Sequence, residues 1–216
     1  MFISRTVQPK NRRRVASIVA LACVGVLTLT ACSTDTDSSK DATTVQSSQA
    51  SSDAKAQEIL AAHDLSGKSA KEVIAALDAQ AVADRPSDLR ASIRPTGLLL
   101  IDQDNGEATL PMPDDEFYLS IAPYVSQTHE CHFHSLTTCR GELGNKDITL
   151  TIVDDATGKT LVEQTTQTFD NGFVGVWLPR DIDATVTVES EGKSATTQIS
   201  THGDEDATCL TTMKLA

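Results

Sequence analysis

The chain has 216 residues, room for one or two domains but not for a large multidomain enzyme. It carries 18 basic and 30 acidic residues, a net charge of −12, and five of the basic ones (Arg5, Lys10, Arg12, Arg13, Arg14) lie within the first 31 positions. Without that segment 13 basic residues face 30 acidic ones, a net −17, which repels phosphate polymers and excludes nucleic acid as a partner.

The first 14 residues hold five positive charges and no negative one, and residues 15–29 read VASIVALACVGVLTL. Fifteen mostly apolar residues fall short of the roughly 20 needed to span a bilayer, so this is the hydrophobic region of a signal peptide. It ends in Leu29-Thr30-Ala31-Cys32, the pattern of a bacterial lipobox, in which Cys32 is lipidated and becomes the mature N-terminus. Residues 33–52 contain eleven Ser or Thr and one sizeable apolar residue, Val45. Such a composition cannot bury enough surface to offset its ordering entropy, so it reads as a flexible stalk with a reach of roughly 25 Å. The expected product is held by lipid on the outer face of a membrane.

Beyond the stalk, Ala56, Ile59 and Leu60 recur at helical spacing. Ser69-Ala70-Lys71-Glu72 is a capping-box signature, followed by Val73, Ile74, Leu77 and Ala81 on one face, and Arg85-Pro86 closes the helix. Strand signals then take over: 98–101 and 108–112 flank Asp104-Asn105-Gly106, a hairpin cue, and 117–125 follows with a bend at Pro123. Residues 147–153 alternate most clearly, through Ile148, Leu150 and Ile152, and further strands are expected over 160–168, 173–178, 184–189 and 194–200. The fold class is α+β, with short N-terminal helices and a mainly antiparallel, sandwich-like β domain. The expected organisation is a signal over 1–31, a stalk over 32–52, a helical and hairpin region over 53–115, and a β-rich metal-binding domain over 116–216.

Chemistry concentrates in residues 130–143, ECHFHSLTTCRGEL, where Cys131, His132, His134 and Cys139 lie within nine residues. Cys209 is the one other cysteine past the stalk. Three thiols cannot all pair within one chain, so at least one is free, cross-linked or metal-bound. An extended backbone sends His132 and His134 to one side, whereas a helical one brings Cys131 beside His134. Either geometry joins imidazole to thiolate, a donor set for Cu(I), Zn(II), or Cu(II) before reduction. A Cys131–Cys139 disulfide and a closed structural zinc site are the plainer alternatives. His63, His129 and His202 read as satisfied or surface histidines, Met213 as core, and Trp177 and Phe173 as strand core or, less simply, an aromatic wall beside a metal.

The combination of ECHFHSLTTCRGEL, DNGFVGVWLPRD and DATCLTT resembles the CueP family of bacterial exported copper-binding proteins. The resemblance implies a copper-resistance protein whose metal cluster corresponds here to Cys131, His132, His134, Cys139 and Cys209. It further implies a preference for Cu(I), transfer of copper to an exported copper/zinc superoxide dismutase, and dimerisation through the N-terminal region. On this basis Cys139 and Cys209 supply two thiolates, with Cys131 or a histidine third and zinc as a surrogate ion. GxSxG, HExxH, CxxC and a Gly-rich phosphate loop are all absent, and thiol-dependent reduction of Cu(II) is a reaction these residues suggest. The rivals are a thiol–disulfide oxidoreductase cycling Cys131 with Cys139 and a disulfide-braced adhesion module.

Overall fold

The computed structural model describes residues 52–216. The expected signal segment, the lipidation site Cys32 and all but the last residue of the stalk lie outside the described residues. Among the described residues, no helix is long and apolar enough to cross a membrane.

A first helix, α1, runs through 52–62 and buries Ala56, Ile59 and Leu60 completely. The second, α2 (Ala70–Asp78), starts where the capping box places it: the Ser69 hydroxyl accepts from the Glu72 N–H, and the Glu72 carboxylate accepts from the Ser69 N–H. Its apolar face, Val73, Ile74 and Leu77, is buried. The helix stops well before Arg85-Pro86 because the chain is claimed by tertiary partners: the Val82 N–H donates to Asp170 at 2.8 Å, and 82–84 form only a 3-10 turn. Ala81, expected on the helical face, lies past its end.

Three sheets follow. Strands β1 (Leu89–Ile93), β2 (Gly97–Asp102) and β3 (Gly106–Pro111) form an antiparallel meander against the two helices. The Asp-Asn-Gly cue makes the β2–β3 turn, where Asp102 accepts from the Asp104 and Asn105 N–H groups and Gly106 takes φ +82°, a value L side chains resist. Strand β4 (Glu116–Ile121) is central to a second sheet, paired antiparallel with β7 (Val174–Pro179) and parallel with the two-residue β10 (Cys209–Leu210). The third sheet has the order β6 (Thr160–Gln167), β5 (Asp147–Asp154), β8 (Asp183–Ser190), β9 (Lys193–Ser200), antiparallel throughout.

The middle sheet serves two cores. Phe117, Leu119 and Ile121 on one face of β4 pack with Ile148, Leu150, Ile152, Val186, Val188 and Met213, so Met213 is a core residue. Tyr118 on the opposite face joins the core formed by the helices and the first sheet. Both faces of β4 are therefore dry, and its register with β7 cannot slip without expelling one set of side chains. The motif loop, 122–146, connects this doubly buried strand to β5 and lies where the elements converge.

Candidate metal centre

The loop carrying Cys131 to Cys139 is fastened on both sides. The Ile93 N–H donates to the His134 carbonyl at 2.8 Å and the Leu136 N–H to Ala91 at 2.9 Å, so 134–136 extend the first sheet along β1. The Thr208 hydroxyl donates to the Ile93 carbonyl (2.8 Å) and accepts from the His134 N–H (3.0 Å), while the Cys209 N–H donates to the His132 carbonyl (3.1 Å). One residue, Thr208, thus ties together β1, the motif and β10. A tight turn closed by the Cys139 N–H on the Ser135 carbonyl (3.0 Å) then folds Cys139 back toward Cys131.

These constraints gather the three thiol-bearing residues. Cys131 and Cys209 are joined in a disulfide with Cα atoms 5.7 Å apart, and Cys139 is free, its Sγ 3.6 Å from that of Cys131. The oxidised pair is therefore not the local Cys131–Cys139 pair weighed from the sequence. Strand β10 lies alongside the motif backbone and puts Cys209 within bonding reach, which a separation of 78 residues conceals. Cys209 is buried, while Cys131 and Cys139 are half-buried.

The two motif histidines part company. His134 is fully buried, stacked on Phe173 with ring centroids 4.4 Å apart, and its Nδ1 lies 3.7 Å from Cys209 Sγ. The ligating atoms of His134, Cys139 and Cys209 all lie within 4.8 Å of one another. His132 is exposed, its Nε2 2.9 Å from the Glu205 carbonyl and its ring edge-on to Phe133, outside the cluster. His129 does approach: with Cys131 and Cys139 it forms a second triad of the same tightness, its ring edge-on to Phe173. Phe173 thus forms an aromatic wall to the site as well as being completely buried, and Trp177 packs separately against Tyr118.

Electrostatics couple these groups. Burial opposes a charge on His134, but Asp78, 3.6 Å from Nε2, and Cys139 outweigh it and lift the imidazole above its usual range. Burial likewise raises the Cys139 thiol, yet His134, the Ser135 N–H (3.4 Å from Sγ) and Arg85 overcome it and bring the thiol below its ordinary value. Arg85 is anchored there by donating to the Cys139 carbonyl at 2.8 Å. The two shifts run in opposite directions, so the Cys139 thiol and the His134 imidazole each favour the other's charged form.

Residues 72–214 match the family described as "Periplasmic copper-binding protein CueP". This chain belongs to the CueP family. It is also similar to the crystal structure of S.CueP, at 40% identity over 74% of this chain and 96% of that one, with a TM-score of 0.68. No curated protein matches it.

Within this CueP-family chain, several site residues have no signature in the motif. Asp78 ends α2, Asn171 precedes β7, and Arg85 sits in a connector; none neighbours a cysteine in sequence. A buried acid on the helix bearing Val73, Ile74 and Leu77 is the one available hint, since Asp78 falls next to Leu77 at the core-facing end. Of the two aromatics weighed from the sequence as a wall beside a metal, Phe173 lies under His134 and Trp177 does not.

Proposed function

We propose that this protein is an extracytoplasmic copper-binding protein that holds Cu(I) among Cys131, Cys139, Cys209 and His134. The observation that carries the reading is the meeting, from separate chain segments, of His134 with Cys139 and Cys209, overlapping a second triad of His129, Cys131 and Cys139, with no carboxylate in either set. Soft thiolates with a borderline imidazole favour Cu(I), and Zn(II) is the natural surrogate. His132, exposed and turned to Glu205, is at most an outer contact for arriving metal.

The disulfide adds a redox half. With all three thiols reduced, oxidation of the Cys131 and Cys209 thiolates to their disulfide releases two electrons, which reduce two Cu(II) to two Cu(I). Cys139 and His134 remain as donors to one of these ions. A dithiol reductant is then needed to reopen the pair. A thiol–disulfide exchange activity is the second reading, favoured by the free Cys139 lying 3.6 Å from Cys131; it runs through the Cys131–Cys209 bond and not through a resting Cys131–Cys139 pair.

The sequence supports tethering through a lipid on Cys32, with the stalk lifting residues 53–216 from the membrane. Family resemblance supports pairing of two copies through 53–115 and delivery of copper to a copper/zinc superoxide dismutase. The deciding experiment is an anaerobic titration of the reduced full chain with Cu(I) against a calibrated chelator. Stoichiometric, tight uptake that Cys139→Ser and Cys209→Ser each weaken by orders of magnitude is the expected result. Unaltered binding in Cys209→Ser refutes the four-residue site.

A further inference from the structure

Asp78 is a carboxylate in a place where an ionisable group is costly, being fully buried between α2 and the middle sheet. Its surroundings are built to keep it. The Tyr118 hydroxyl donates to Oδ2 at 2.6 Å and Asn171 Nδ2 donates to Oδ1 at 3.2 Å. Asn171 is itself fixed by accepting from the Phe173 N–H at 2.8 Å, so the aromatic floor under His134 and the acid behind it share one support. Gly175 on β7 supplies the room: a Cβ there would fall on the Tyr118 hydroxyl and within 2.9 Å of Asp78 Oδ2.

All this converges on one imidazole nitrogen. His134 Nε2 is buried and makes no hydrogen bond; the Asp78 Oδ1 it faces is 3.6 Å away, while Nδ1 on the opposite edge lies 3.7 Å from Cys209 Sγ. A proton on the nitrogen that faces the carboxylate is the favourable arrangement, and in the neutral ring it leaves the lone pair on Nδ1. Carboxylates placed behind ligating histidines set the tautomer and strengthen the donor in metal sites generally.

We propose that Asp78 is a positioning residue for metal capture: it fixes His134 as the Nε2–H form and thereby makes Nδ1 the nitrogen donor to the thiol cluster. The Tyr118–Asp78–Asn171 bonds and the space at Gly175 hold that carboxylate in place. The proposal rests on His134 being a copper ligand, and it extends the site from the motif into α2, 56 residues upstream of His134.

The test uses the full chain with 15N-labelled histidine. In the reduced, metal-free protein, His134 should carry a proton on Nε2, and Asp78→Asn should shift that resonance strongly while His63 and His202 stay still. An Nε2 without a proton in the wild type overturns the proposal. In competition with a chelator, Asp78→Asn should lower Cu(I) affinity about ten- to a hundredfold, and this loss should disappear in a His134→Ala background. Equal losses in both backgrounds overturn the proposal, because Asp78 would then support the fold and not the ligand. Tyr118→Phe and Gly175→Ala, which disturb Asp78 without removing it, should move the same resonance in the same sense by less; no movement in either overturns it as well. If the wild type takes up no Cu(I), the copper reading fails, and the Nε2 resonance still decides whether Asp78 governs His134.

Discussion

Two histidine–aspartate pairs border the first core. His63 and Asp102 meet at 2.6 Å beside the β2–β3 turn; His134 and Asp78 stand 3.6 Å apart behind the thiols. Asp102 spends its other oxygen on the turn, accepting from Asp104, Asn105 and the Asn105 side chain, so its histidine closes α1 onto a hairpin. Asp78 accepts from Tyr118 and Asn171, and the far nitrogen of its histidine faces sulfur. Asp88 completes an oxygen-rich triad around His63, but no thiol is there. Identical residue types thus serve a turn in one place and stand behind a thiol cluster in the other, and the neighbours decide which.

The comparison is broken or sharpened most strongly at the histidines. His134→Ala should weaken Cu(I) binding by about tenfold or more, whereas His63→Ala should leave it unchanged, as read by chelator competition. Equal effects would mean that copper is not confined to the thiol end. Next in size is stability. Asp102→Ala strips the buried acceptor from the β2–β3 turn and should cost about 2 kcal/mol, lowering Tm by about 4–8 °C for a chain of this length, with Cu(I) affinity intact. A copper-affinity loss in that variant would mean that the turn pair and the thiol pair are coupled.

Acid should distinguish the pairs further. The hydrogen bond from His63, with those from the turn, holds Asp102 at about 2 against an ordinary 3.8. A lowered carboxylate pKa contributes its full stability above the ordinary value and loses it as pH falls toward the folded value. Denaturant unfolding should therefore show stability declining between about pH 4 and pH 2, with a shallower slope in Asp102→Asn; the same slope in both would remove Asp102 from the acid response. The smallest effect belongs to His132→Ala, expected to change Cu(I) affinity by less than about twofold because its ring faces the Glu205 carbonyl and solvent. A loss comparable to that of His134→Ala would mean that the loop rearranges to bring His132 inward.

Much of the fold was legible because its signals are local. The capping box at Ser69, the Asp-Asn-Gly turn and the alternation through Ile148, Leu150 and Ile152 each depend on residues a few positions apart, and each appears where the pattern places it. The strands that escaped notice are β1, whose Leu89, Ala91 and Ile93 alternate over only five residues, and β10, two residues long and parallel to β4. A strand that short carries no period; it exists because β4 offers a free edge and the Thr208 hydroxyl is anchored across the molecule.

For the site, the sequence alone determined the donor chemistry. Three thiols and the closely spaced imidazoles are a property of the sequence, and that donor set is of the kind soft ions favour. Which of those groups meet was decided by tertiary structure. Along the extended segment His132 and His134 are equivalent by spacing, yet the pairing of 134–136 with β1 buries one and leaves the other in solvent. Cys209 reaches Cys131 through β10, and Asp78 reaches His134 through the end of α2, across separations that no local pattern encodes. The physical reason is that reactivity follows side-chain type, whereas a metal or a buried carboxylate needs several groups within a few ångströms, and only packing of distant segments brings them that close.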